Sequence, residues 1–190
     1  IANSIVDVAV FNGTSTAYEI KTEYDSHRRL STQAPSYLRA FERVYVVTHP
    51  NLVEHYASIV DKRIGILCLT NKDSLREVRQ PVSDVTRIEP NVIYRMLRRQ
   101  EFMDAVHEHF GPQPKLPNGL VNKHYQKLFH QLTSEQAHAV FVAAMRSRTT
   151  DEETVEFVSA LPKSLRALAY ATPLSRPKRL RLLDALSSTF

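Results

Sequence analysis

DVAVFNGTSTAYEIKTEYDSHRRLSTQAPSY, residues 7–37, decides how the rest of the chain is read. Residues 5–11 are apolar except for Asp7, and residues 16–22 form a second extended run in which Glu19 and Lys21 share one face. Asn12-Gly13-Thr14 between them is turn chemistry. A two-residue Asn12-Gly13 turn would set Asp7 opposite Tyr18 and leave Glu19 on the other face. A three-residue loop, Asn12 to Thr14, pairs Asp7 with Glu19 and Ile5 with Lys21. The three-residue loop is the expected one, because such hairpins use a glycine in the left-handed conformation and Gly13 supplies it. Two carboxylates opposite each other on one sheet face stand roughly 5 Å apart at Cβ and repel. A divalent cation between them would relieve that repulsion, and a lysine two residues on could hold a water or a phosphate.

A helix is expected next, starting near Ser31 or Thr32. With Thr32 as cap, Pro35 falls in the first turn, where a missing N–H costs little. Gln33 and Tyr37 are four apart and share a face, beside an apolar stripe of Leu38 and Phe41. An Asp, a turn, then Glu-x-Lys on the next strand resembles the PD-(D/E)XK nuclease superfamily. Asp7, Glu19 and Lys21 stand at those positions, and Gln33-Ala34-Pro35-Ser36-Tyr37 is similar to the Gln-x-x-x-Tyr helix of the RecB-like branch. Val6 stands where the family often has proline. The chain starts at Ile1 without an initiator methionine, so the sequence is expected to be truncated and the family's preceding helix, which usually carries an acidic residue, to lie outside it.

The resemblance implies a restriction-endonuclease-like fold and a Mg²⁺-dependent nuclease, Mn²⁺ serving as substitute. Its implied catalytic set is Asp7, Glu19, Lys21, Gln33 and Tyr37. Asp7, Glu19 and the Ile20 carbonyl would hold the metal, and Lys21 would orient the attacking water. Without the resemblance, Tyr37 reads as a core aromatic with its hydroxyl at the rim, and Glu23 as a solvated strand end.

Outward from this stretch, residues 43–48 and 64–70 are nearly continuous apolar runs, the pattern of buried parallel strands. A short amphipathic helix at 51–60 separates them, and 75–79 alternates like an edge strand. Strand–helix–strand–helix–strand order implies parallel crossovers, hence an α/β fold with a mixed central sheet flanked by helices on its faces. From Asn91 to Phe110 apolar residues recur at helical spacing, predicting one long helix. Residues 111–119, rich in proline and glycine, read as a linker, giving a core over 1–110 and an all-α C-terminal subdomain over 120–190. There Thr133-Ser-Glu-Gln136 is a capping box, and Leu180, Leu183 and Leu186 form a stripe on the last helix.

The net charge is +5 over 190 residues. Residues 1–111 hold 14 basic and 14 acidic side chains, leaving 11 and 6 for 112–190, so the excess lies in the second part. Arg28 and Arg29 near the hairpin, and Arg176, Lys178, Arg179 and Arg181 on the last helix, are candidate contacts to a nucleic-acid backbone. The alternative for each is a solvated helix face. Cations at a helix start oppose the dipole, and that mild cost favours a use for the second group. The expected partner is nucleic acid, DNA first, with a protein partner or second copy engaged through the helical C-terminal part.

Cys68 is the single cysteine, so no disulfide forms within the chain and a cytoplasmic setting is expected. No apolar run of membrane-spanning length exists. With four glycines there is no phosphate-binding glycine loop, and there is no nucleophile elbow. His124, His130 and His138 show no ligand spacing and read as ordinary. The function expected from sequence is hydrolysis of phosphodiester bonds. The first alternative is an inactive nuclease-fold module for nucleic-acid binding or assembly; the second is coincidence of the three residues in a helical interaction protein.

Overall fold

The turn at Asn12-Gly13-Thr14 sets the sheet. Its residues join β1 (Val8–Phe11) to β2 (Ser15–Lys21), antiparallel, with Phe11 opposite Ser15 and Val8 opposite Tyr18. This is the expected three-residue loop. Gly13 takes φ +97°, a backbone conformation that L side chains rarely adopt. The structure, a computed structural model, describes residues 5–25, 27–72, 74–148, 152–171 and 174–187.

From β2 the chain passes through α1 (His27–Leu38) to β3 (Arg43–Thr48), then through α2 (Val53–Ile59) to β4 (Gly65–Leu69). β2, β3 and β4 are parallel, and β5 (Leu75–Arg79) closes the far edge antiparallel. Strand order in the sheet is chain order, β1 to β5. α1 begins at His27 rather than at Ser31 or Thr32. The Asp25 carboxylate accepts from the backbone N–H and hydroxyl of Thr22, both at 2.8 Å, and this turn ends just before the helix.

Ala17, Glu19, Lys21, Val44, Val46, Thr48, Ile66 and Cys68 alternate onto one face of the sheet, and all are buried. Leu30, Ala34, Tyr37 and Phe41 belong to the same core. Tyr18, Ile20, Tyr45, Val47, Leu67 and Leu69 alternate onto the other face and are half-buried or exposed. The expected sheet covered on both faces is therefore corrected. Among the described residues the buried side chains of the central strands gather under one layer of helices.

α3 (Pro90–Tyr94), α4 (Arg99–Phe110), α5 (Asn118–Phe129) and α6 (Ser134–Ser147) extend that core through Ile93, Phe102, Val106, Tyr125, Phe129 and Phe141. The one long helix expected over 91–110 is two. Arg98 is extended at ψ 159°, and the Glu101 carboxylate accepts from its backbone N–H at 2.6 Å, starting a new helix. Residues 111–117 connect α4 to α5, Asn118 and Gly119 of the expected linker already being helical, and Phe102 packs on Tyr125 with ring centroids 6.1 Å apart. The Thr133–Gln136 capping box forms as read, each side chain taking the other's backbone N–H.

The chain divides into two compact units, residues 1–147 and 148–190. The second holds α7 (Glu152–Ala160), α8 (Lys163–Ala171) and α9 (Arg176–Ser187) around Phe157, Val158 and Leu161. Leu182, Leu183 and Leu186 of α9 pack against that core, while Leu180 is 61% exposed. The fold is thus mixed α/β with a helical C-terminal region. No helix among the described residues is long and apolar enough to cross a membrane.

Candidate functional site

Alternation along β2 sends Glu19 and Lys21 into the helix-covered side, where they are largely withdrawn from solvent. They satisfy each other: Lys21 Nζ donates to Glu19 Oε1 at 2.7 Å, with side chains 7% and 3% exposed. The hydroxyl of Tyr37, on α1, lies 2.9 Å from Glu19 Oε2 and 2.7 Å from the Ile5 carbonyl. Both carboxylate oxygens of Glu19 therefore have partners. Gln33, one helical turn before Tyr37, is also buried, and its Oε1 has no hydrogen-bond partner among the described residues. The hairpin register, carried one residue past Val8–Tyr18, sets Asp7 opposite Glu19. The Asp7 carboxylate is turned to the backbone and accepts from the Ile20 N–H at 2.8 Å.

Four of the five expected catalytic residues, Glu19, Lys21, Gln33 and Tyr37, are thus buried side chains beneath the sheet, with Asp7 exposed at its margin. The expected metal ligands fit a Mg²⁺ or Mn²⁺ ion poorly. Asp7 is bonded to the backbone, and Glu19 is bonded to an ammonium and a phenol. No group of three His, Cys, Asp or Glu among the described residues converges as a metal site would.

A cavity of about 410 Å³ opens where β2, β3 and β4 end. Ile20, Val47, Leu52 and Leu69 give it an apolar wall; Lys21, Thr22, Glu23, Tyr24, Thr48, His49 and Asn51, one carboxylate among them, complete the lining. Carboxyl ends of parallel strands are the usual place for ligands in α/β sheets. Sequence reading missed this wall, although His49 and Asn51, just after the first of the two apolar runs, carry the signal. Thr48 is not free: its hydroxyl donates to the Lys21 carbonyl at 2.9 Å and holds β2 to β3.

Sequence reading also missed a second buried polar group. Ser15 Oγ lies 2.9 Å from His138 Nε2, and it accepts the Glu42 N–H at 3.0 Å. Glu42 Oε2 approaches the same ring nitrogen at 3.7 Å. Both neighbours address one nitrogen and Ser15 is fully buried, so this is a fastening of α6 to β2 rather than a nucleophile relay. Burial lowers the His138 pKa from its ordinary value. Arg87 is a third case: its guanidinium donates to the carbonyls of Leu38, Phe41, Glu42 and Val82.

The basic residues divide. The side chains of Arg28 and Arg29 lie outside the described residues. In α9, Arg176 pairs with Glu153 at 3.3 Å, and Arg179 donates to the Leu174 carbonyl and lies over the Phe157 ring. Lys178 and Arg181 are exposed.

The family model of bacteriophage P4 protein cII matches residues 2–169. Protein cII of Enterobacteria phage P4 is 28% identical over 105 residues, covering 54% of this chain and 40% of that protein. The chain thus matches about two fifths of the length of that curated relative. No solved structure matches. The chain belongs to the bacteriophage P4 protein cII family.

That membership overturns the resemblance to PD-(D/E)XK nucleases, and the expected Mg²⁺-dependent deoxyribonuclease and phosphodiester hydrolase are withdrawn with it. The physical reason is local. Glu-x-Lys on a strand beside an inward tyrosine is also what a buried, mutually neutralised ion pair looks like.

Proposed function

We propose that this member of the P4 cII family is a non-catalytic binding domain that takes a small organic ligand at the carboxyl ends of β2, β3 and β4. The ligand has an apolar body and one anionic or carbonyl acceptor group. The carrying observation is Lys21. An ammonium has three N–H donors, and among the described residues this one has a single partner, Glu19, at 7% exposure, in a residue that lines the cavity. A buried donor left without an acceptor costs about 1–3 kcal/mol, which an acceptor arriving through the cavity would recover. The cavity, about 410 Å³ with apolar walls and few polar groups, is within the range of small-molecule sites. Nucleic acid as a partner has narrower support, the net charge and the exposed Lys178 and Arg181.

The probe for this reading is 2-naphthoate, two apolar rings and a carboxylate, titrated into the labelled protein and followed by amide shifts in NMR. Shifts confined to Ile20–Tyr24 and Thr48–Leu52, lost in a cavity-narrowing Leu69→Trp variant, are expected. The uncharged 2-naphthamide should bind at least tenfold more weakly. Equal binding to parent and Leu69→Trp, or no shifts in those segments at millimolar probe, would overturn the reading.

A further inference from the structure

The sheet's second face is the largest feature that the cavity leaves unexplained. Parallel strands are ordinarily buried on both faces, yet here one face of β2–β4 stays open. Val8 is 44% exposed, Val10 39%, Ile20 48%, Leu69 45% and Leu75 59%. Together with the half-buried Tyr18, Tyr45, Val47 and Leu67 they run from edge to edge of the sheet. At the centre the rings of Tyr18 and Tyr45 stack, 5.5 Å apart and 6° from parallel. Tyr45 lies across Gly65, where any side chain would meet its ring.

We propose that a second copy of this chain docks on this face, sheet against sheet. Two observations point to a copy. Five exposed apolar side chains lie in one strip across the face, and contiguous apolar surface of this kind marks an interaction site. The charged side chains on the face, Arg43 and Glu77, are opposite in sign, so a two-fold copy can set one against the other. Within the chain Glu77 accepts from the Tyr45 hydroxyl at 2.5 Å, and Arg43 donates to Ser83 at 3.2 Å and lies 3.8 Å from Glu42. Neutral partners leave the Glu77 charge uncancelled, so as the face loses water the Arg43 of the other copy is what would balance it, and central tyrosines are typical interface anchors. Sheets packed this way sit about 10 Å apart. Ile20, Val47 and Leu69 also border the cavity, so the copy would meet its mouth; the docking argument uses none of the cavity's polar groups.

The test is sedimentation equilibrium of the whole chain from 1 to 100 µM, for the parent, for Val10→Lys/Leu75→Lys, and for Arg95→Ala as a control away from the sheet. A parent that dimerises in this range, a control that follows it, and a double variant whose dissociation constant rises at least tenfold would support the proposal. Circular dichroism of the double variant should match the parent, since both positions are solvent-facing in the single chain. A parent monomeric at 100 µM, or a well-folded double variant that dimerises as the parent does, would overturn it. Should the double variant misfold, Arg43→Glu serves instead. It should weaken dimerisation, and mixing it with Glu77→Arg should restore it; failure of that mixture to associate also counts against the proposal.

Discussion

Lys21 and Glu19 show how one residue can be both a necessity and a hazard. Each charge is out of water, and each is tolerable because the other stands 2.7 Å away. Replacing Lys21 by Met leaves a buried carboxylate with Tyr37 as its side-chain donor, and should destabilise the fold by about 3 kcal/mol. Replacing Glu19 by Gln as well should recover a large part of that loss, because the amide still accepts from Tyr37. Urea unfolding of the two single variants and the double one measures both statements; a Lys21→Met loss below ~0.5 kcal/mol would mean the pair is not buried in solution. His138 makes a second claim at this scale. Its folded pKa lies below the unfolded value, because burial disfavours the charged ring. The unfolded chain therefore binds more protons as pH falls below the ordinary histidine value near 6.5. The stability that His138 supports is complete above that pH and declines below it. His138→Gln, which can still bond Ser15, should flatten the dependence between pH 7 and 5, read from urea midpoints at each pH.

At the scale of elements, the hairpin and the strand ends carry the consequences. Gly65 lies under Tyr45, and a Cβ there would come 2.5 Å from the ring and 2.9 Å from the Pro81 backbone nitrogen. The ring can turn aside but the backbone is held, so Gly65→Ala should cost about 2 kcal/mol by overpacking. It should also disturb the near-ultraviolet tyrosine signal as the Tyr18–Tyr45 stack opens; an unchanged melting temperature would show that β4 and Pro81 part easily. Much at this scale was legible beforehand. Asn-Gly-Thr gave the hairpin register, two apolar runs gave the parallel strands, and Thr-x-x-Gln gave the α6 cap. The break in the 91–110 helix was not legible, because no proline or glycine marks it. A carboxylate three residues on from Arg98 makes it, and apolar spacing continues on both sides. Nor was the start of α1, which follows an Asp25 turn that only tertiary structure shows to be formed.

At the scale of the whole molecule, the inward placement of Glu19, Lys21, Gln33 and Tyr37 was legible in the sequence, and what they do was not. Inward alternation and a four-residue helical spacing suffice to turn them inward. The same residues serve catalysis or plain neutralisation, depending on whether the carboxylate oxygens keep partners within the chain, and short motifs do not encode that. The cavity was hidden for another reason: its wall comes from three separate strand ends, joined only once parallel pairing is in place. The open face was hidden because runs such as Val44–Val47 are apolar on both sides, which ordinarily means cover on both.

Strand order equal to chain order has a bearing on synthesis as well. As the polypeptide leaves the ribosome, each strand emerges next to a partner already made, so the sheet can grow directionally through two hairpins and two helical crossovers. The Ser15–His138 bond joins positions 123 apart and cannot form until α6 is released. A nascent chain stopped before α6 should carry a grown sheet with an unsealed flank at β1, and that flank is where a chaperone would find it.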